Sequence, residues 1–176
     1  MTSPTSDAPV RIRDAAPADV PAMAAIYDEQ VLTSVATFET ELRGRSYLGE
    51  KLATAGAGNL VLVACAAERV LGYAFSGPFR PRPAYAGTRE LSVYLSSEAR
   101  GRGLGRALYA ELLGRLDALP EIHTQVAVVA LPNDASEALH AAMGFERVGV
   151  LREVGYKLGR YVDTAWYQRM SPRGQV

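Results

Sequence analysis

Arg100, Gly101, Arg102, Gly103, Leu104, Gly105 and Arg106 make a run in which arginine and glycine alternate almost without interruption. That chemistry suits a phosphate. Glycines let backbone approach a ligand closely, N–H groups of a turn and of the helix start after it converge on one point, and arginine forks match phosphate oxygens. The spacing excludes two common phosphate motifs. No lysine lies in the turn, as Gly-x-x-x-x-Gly-Lys-Ser/Thr requires, and Arg106 stands where the dinucleotide pattern Gly-x-Gly-x-x-Gly needs its last glycine. What fits is Arg-x-x-Gly-x-Gly, from Arg100 to Gly105. It directly follows the apolar run Leu91-Ser92-Val93-Tyr94-Leu95, with Glu90 at its start. A lone carboxylate there is unusual, and it is either paired with Arg89 or Arg82 or has a task of its own. Asn133, Ser136 and His140 form a second polar set. The first two are ordinary helix-capping types, and the histidine is either a core or cap residue or a proton carrier.

These residues need a strand, a turn and a helix in sequence, and the pattern supplies them. Glu90–Leu95 reads as the strand, and Leu104, Leu108, Leu112, Leu116 and Leu119 form the apolar stripe of a long helix. Upstream, Val10–Arg13 alternates as a short strand, and Pro17-Ala18-Asp19 opens a helix with Val20, Met23, Ala24, Tyr27 and Val31 on one face. A break at 33–41 carries Phe38 and precedes a second helical segment to about Ala55. Leu60–Cys65 is a continuously apolar strand, paired through Ala67-Glu68-Arg69 with Val70–Phe75. Phe79–Tyr85, with spaced prolines, is an ordered loop. Gln125–Leu131 is a buried strand, Glu137–Met143 a short helix ended by Gly144, Phe145–Gly149 the start of the next strand, and Gly155–Met170 the last. The order βααβββαβαββ predicts an α/β domain with a mixed sheet over residues 10–170. Residues 1–9 are expected as a disordered tail and 171–176 as a second tail.

Composition narrows the classes. A chain of 176 residues that is 48% apolar suits one core. Nineteen basic and nineteen acidic residues argue against a nucleic-acid binder. Cys65 is the single cysteine, which excludes an intramolecular disulfide or cysteine metal cluster. Its apolar setting makes it a buried thiol rather than an acyl carrier. With two histidines, His123 and His140, a histidine metal site is not expected. No apolar run is of membrane-spanning length and the polar start MTSPTSDAP is no signal peptide. The expectation is a soluble, cytoplasmic protein without metal, nucleic-acid partner or membrane.

The Arg100–Gly105 turn after a strand that begins at Glu90 resembles the acetyl-coenzyme A signature of the GNAT N-acetyltransferases. The resemblance implies that family's fold: a mixed, mostly antiparallel central sheet flanked by helices, with acetyl-CoA as co-substrate. It places the pyrophosphate on Arg100–Arg106, the pantetheine along the backbone of Val93, Tyr94 and Leu95, and a further contact on Asn133 with Ser136. Amide formation from a thioester requires an amine to lose a proton and a carbonyl to be polarised. Glu90 is the candidate base for direct attack, provided burial lifts it above an ordinary value of about 4.3. Many members carry tyrosine as general acid at the place of His140, so here the role falls to a histidine or is not filled there.

The likeness extends over residues 10–170. Thr37-Phe38-Glu39, Gly77-Pro78-Phe79-Arg80, Leu131-Pro132-Asn133-Asp134 and Gly155-Tyr156-Lys157 are similar to the phosphinothricin N-acetyltransferases. Tyr161 departs from a tryptophan usual there. This implies acetylation of the α-amine of phosphinothricin, methionine sulfoximine or methionine sulfone, and a homodimer. Arg80 and Arg82 are expected to bind the substrate's anionic groups, with Tyr27, Phe38, Tyr85, Leu91 and Ser92 around them. The arginine-bearing loop disfavours a polycationic aminoglycoside. A protein N-terminus remains an alternative acceptor, and a non-catalytic acyl-CoA-binding module an alternative class.

Overall fold

The computed structural model describes residues 9–172. The tails anticipated at 1–9 and 171–176 fall, for residues 1–8 and 173–176, outside the described residues. The elements are β1 (Val10–Asp14), α1 (Val20–Thr33), α2 (Gly44–Ala53), β2 (Val61–Ala66), β3 (Arg69–Pro78), β4 (Thr88–Leu95), α3 (Leu104–Asp117), β5 (Thr124–Ala130), α4 (Asp134–Ala142), β6 (Glu146–Lys157) and β7 (Arg160–Met170). This is the predicted order. No described helix is long and apolar enough to cross a membrane.

One seven-stranded sheet, ordered β1-β2-β3-β4-β5-β7-β6, is antiparallel throughout except between β4 and β5. Alternating side chains divide it into two faces. On one, Tyr73 and Phe75 of β3 pack with Tyr27, Met23 and Val31 of α1 and Leu48 of α2. On the other, Leu91 of β4 and Val129 of β5 pack with Leu108, Leu112 and Leu116 of α3. The leucine stripe is therefore core, with Leu119 at its margin.

Element boundaries differ from the sequence reading where a contact from elsewhere sets them. Pro17–Asp19 is a turn of 3-10 helix and α1 proper begins at Val20. There Asp19 accepts two hydrogen bonds from Arg13, at 2.6 and 2.9 Å, and one from the Ala16 N–H. The last helix, α4, starts at Asp134 rather than Glu137, because the Asn133 side chain accepts from the Ser136 N–H at 3.2 Å.

Candidate active site

The parallel pairing of β4 with β5 is short. It covers Thr88↔Thr124, Arg89↔Gln125 and Glu90↔Val126 and then stops, while β4 keeps its register with β3 to Leu95 and β5 its register with β7 to Ala130. Beyond Glu90 the two strands diverge, and the β5-facing edge of Leu91–Leu95 has no strand partner. A cleft opens in the gap, lined by Ser92, Val93 and Tyr94 on one side and by Val128, Val129 and Ala130 on the other. Tyr109, Asn133, Ser136 and His140 complete the wall. A splayed edge of this kind can take an extended, amide-bearing chain as an added strand.

At the far end of β4 stands the Arg/Gly turn. Gly101 and Gly103 hold left-handed backbone, with φ of 72° and 76°. Gly103 is the N-cap of α3 and offers no side chain to its first N–H groups. A Cβ added at either glycine would meet nothing within 4 Å, so the space above them is open. Arg100, Arg102 and Arg106 are exposed around it. Gly105 is buried, with Leu95 and Leu139 as its neighbours, and Leu104 anchors the helix start in the core. Orphan N–H groups, positive charge and free space coincide here, which is what a pyrophosphate needs.

Glu90 lies where the two paired strands begin to part. It is partly buried, and burial raises its pKa above the ordinary carboxylate range while Arg80 and then Lys51 oppose the shift. The proposed pairing with Arg89 is absent, because that guanidinium donates to the carbonyls of Gly58 (2.8 Å), Ala86 (2.7 Å) and Thr88 (3.1 Å). Glu90, Ser92 and Tyr94 oppose Gly77, Phe75 and Tyr73 and so point toward α1 and α2, whereas Leu91 is buried on the α3 face.

His140 is buried, stacked on Tyr167 with ring centres 5.2 Å apart and edge-on to Tyr109 and Phe145. Its Nδ1 lies 2.7 Å from the Ser136 carbonyl oxygen. A carbonyl can only accept, so Nδ1 carries the proton and Nε2 of the neutral ring accepts from the Tyr109 hydroxyl at 3.2 Å. Burial depresses the His140 pKa, which keeps the ring neutral. The histidine thus has no proton facing the cleft, and the one proton of the phenol beside it is donated to Nε2.

The expected substrate residues divide. Arg80 is exposed but ordered, its guanidinium over Phe79 at 4.8 Å and Trp166 at 6.0 Å. Tyr85 is edge-on to the same Phe79. Arg82 is exposed without an ion pair among the described residues. Tyr27 is buried and stacked on Tyr47, with its hydroxyl bonded to Thr37 at 2.9 Å. Phe38 is held over Gly155, where a Cβ would come within 2.4 Å of its ring, and the buried Lys157 fastens the preceding Thr37 carbonyl at 2.7 Å. That explains the Gly-Tyr-Lys segment: it positions the Phe38 loop. Tyr109, Tyr47 and Lys51 were not singled out from sequence. Tyr109 was hidden within a helical apolar stripe, and only tertiary packing shows which helix face meets the cleft.

Residues 12–166 match the family model described as acetyltransferase (GNAT) domain. The chain is 39% identical over 166 residues to a phosphinothricin N-acetyltransferase of Streptomyces coelicolor, covering 92% of this chain and 96% of that one. It is 40% identical over 161 residues to an L-methionine sulfoximine/L-methionine sulfone acetyltransferase of Pseudomonas paraeruginosa, covering 89% and 92%. Among solved structures, a GNAT superfamily phosphinothricin acetyltransferase from Sinorhizobium meliloti in complex with AcCoA superposes with a TM-score of 0.89 at 40% identity, over 94% of this chain and 90% of that one.

Proposed function

The chain belongs to the GNAT acetyltransferase family and is an acetyl-CoA-dependent N-acetyltransferase, and from that premise we propose how its residues act and on what. Bound acetyl-CoA supplies the activated acyl group. The turn from Arg100 to Arg106 holds the pyrophosphate with backbone N–H groups and arginine charge. The open edge of β4, through Val93, Tyr94 and Leu95, bonds the pantetheine amides, and an N–H of that edge polarises the thioester carbonyl. Asn133 caps α4 with its oxygen, which leaves its amide N–H groups for the cofactor, with Ser136 beside them.

Glu90 takes the proton from the attacking amine. Its burial and its position at the fork of the sheet support this, because a base near neutrality needs a raised pKa. His140 acts through Tyr109: at rest the neutral imidazole accepts the phenol O–H and holds that ring at the cleft wall, and the O–H leaves Nε2 for the sulfur as the thiolate departs. Residues 10–170 form the one catalytic domain.

The acceptor is the α-amine of phosphinothricin, methionine sulfoximine or methionine sulfone, as the names of the relatives indicate. The observation that carries this reading is Arg80, set against Phe79 and Trp166 and close enough to Glu90 to oppose the burial that raises its pKa. A substrate with an amine for the base and a distal anionic or strongly polar group bridges the two. Phe38, Tyr85 and Ser92 border that path, with Arg82, Tyr27 and Leu91 behind it. Thiol release from acetyl-CoA, measured over a panel of amines, tests it. Turnover with at least one of the three acceptors is expected, and none with any of them overturns the substrate while leaving the enzyme class. The protein works as a homodimer through its exposed apolar edge, in the cytoplasm, where Cys65 stays a buried thiol.

A further inference from the structure

Glu90 shares its face of the sheet with a cation to which no role has yet been given. Gly77 on β3 stands directly opposite Glu90 on β4. Side chains directly opposite in an antiparallel pair leave the sheet on the same side, with Cβ atoms about 4.5–5.5 Å apart. At Gly77 that space is taken by Lys51, from the last turn of α2: its Nζ lies 3.1 Å from where a Cβ on Gly77 would stand. The ammonium is 5.0 Å from the centre of the Phe75 ring and 5.5 Å from that of Tyr47. Among the described residues no carboxylate lies within ion-pair distance of it. A full positive charge therefore sits partly buried, on an aromatic wall, beside the base but not bonded to it.

In an α-amino acid the nitrogen and the carboxylate carbon are separated by a single carbon. An amine brought to Glu90 carries its carboxylate into the neighbouring few ångströms, and the cation opposite that acid on the same sheet face is Lys51. Arg80 lies beyond Pro78, turned to Phe79 and Trp166, and suits the other end of the substrate. We propose that Lys51 receives the α-carboxylate of the amino-acid substrate, leaving Arg80 for the distal polar group. The inference rests on the amino-acid reading above. A purely structural lysine, its stem on Tyr47 and Phe75, would affect every acceptor alike.

The test compares methionine sulfone with the decarboxylated amine of methionine sulfone, at saturating acetyl-CoA, in the intact enzyme and in Lys51→Met, with Lys51→Gln used where the methionine variant does not fold. The ratio of kcat/KM for the amino acid to that for the carboxylate-free amine is expected to fall about tenfold to a hundredfold, the size of a lost charge-assisted hydrogen bond. The loss falls on KM, and Lys51→Arg restores most of it. Any effect of Lys51 on the titration of Glu90 acts on both acceptors and cancels in the ratio. An unmoved ratio, whether both acceptors decline together or neither does, overturns the assignment of Lys51 while the amino-acid reading stands. If the unaltered enzyme acetylates no α-amino acid, both readings fall.

Discussion

The carboxyl of Glu90 is under opposed influences, with burial raising its pKa and Arg80 and Lys51 pulling it down, and burial prevails. Two consequences follow with definite signs. A base works ionised, so kcat/KM rises with pH through this raised value, on a limb above the ordinary glutamate value of about 4.3. Glu90→Gln abolishes that limb and lowers kcat by about 100- to 10,000-fold, with acetyl-CoA affinity unchanged by calorimetry; loss of affinity in step with activity overturns the base role. For stability, a carboxylate whose folded pKa exceeds its unfolded one costs nothing below the unfolded value and its full penalty above the folded one. Glu90→Gln therefore melts higher than the parent at neutral pH, and the gap closes in acid. His140 behaves differently. Lowered by burial and committed to the Ser136 carbonyl, it is neutral at pH 7 and above, so His140→Phe lowers kcat but leaves the shape of the pH–rate profile unchanged above about pH 7. Glu90 was legible in the sequence because a charge at the head of an apolar strand is conspicuous. The bond from Tyr109 to His140 was not, since thirty-one positions separate the partners and only the fold closes that gap.

At the scale of elements, two turns carry the binding surfaces. Gly103 joins an apolar strand end to α3 in left-handed backbone, and a β-branched residue there would pay about 1–2 kcal/mol in conformation alone while filling the open space over the orphan N–H groups. Gly103→Val and Arg100→Ala are expected to weaken acetyl-CoA binding roughly tenfold or more, read by calorimetry, without reordering the amine preference. Equal affinity in both variants removes the phosphate cradle. At the second turn, Gly155→Val drives a side chain into the Phe38 ring; the amine KM rises and acetyl-CoA affinity does not, and the reverse pattern would place Phe38 outside the amine site. The strand, turn and central helix could be read directly because each is specified locally, by apolar periodicity and glycine. The start of α2 could not. Its Gly44 N–H is capped by Asp28 of α1 at 3.0 Å, and a Cβ at Gly44 would lie 2.7 Å from that carboxylate oxygen, so a partner sixteen residues away sets the boundary. The length of β6 was hidden likewise, because its register with β7 shifts between Leu151 and Gly155, with Glu153 at φ 51°.

For the whole molecule, the aromatic tail shows why sequence leaves assembly open. Tyr167 is 4% exposed and Tyr161 64% exposed on the same strand; composition treats them alike, and only position in the sheet separates core from surface. The outermost strand, β6, is exposed from Glu146 to Val154, with Val148, Val150, Leu151 and Val154 open to solvent and Tyr156 packed edge-on against Tyr161 at the hairpin end. Edge strands are usually short, charged or covered. This one spans twelve residues and exposes four aliphatic side chains among the exposed charges of Glu146, Arg147, Arg152 and Glu153, so a second copy of the chain that buries the apolar positions and leaves those charges at a rim accounts for the exposed aliphatics. Light scattering is expected to give twice the mass of one chain, with a melting temperature that rises with protein concentration. Val154→Asp combined with Tyr161→Asp separates the alternatives. In an isolated chain both positions face water, and the changes cost little beyond the Tyr156–Tyr161 contact, about 0.5–1.5 kcal/mol. In the dimer each would bury an unpaired charge, so the variant should run as a folded monomer. A parent that is monomeric at every concentration, or a dimer untouched by the paired aspartates, would place the self-association face elsewhere.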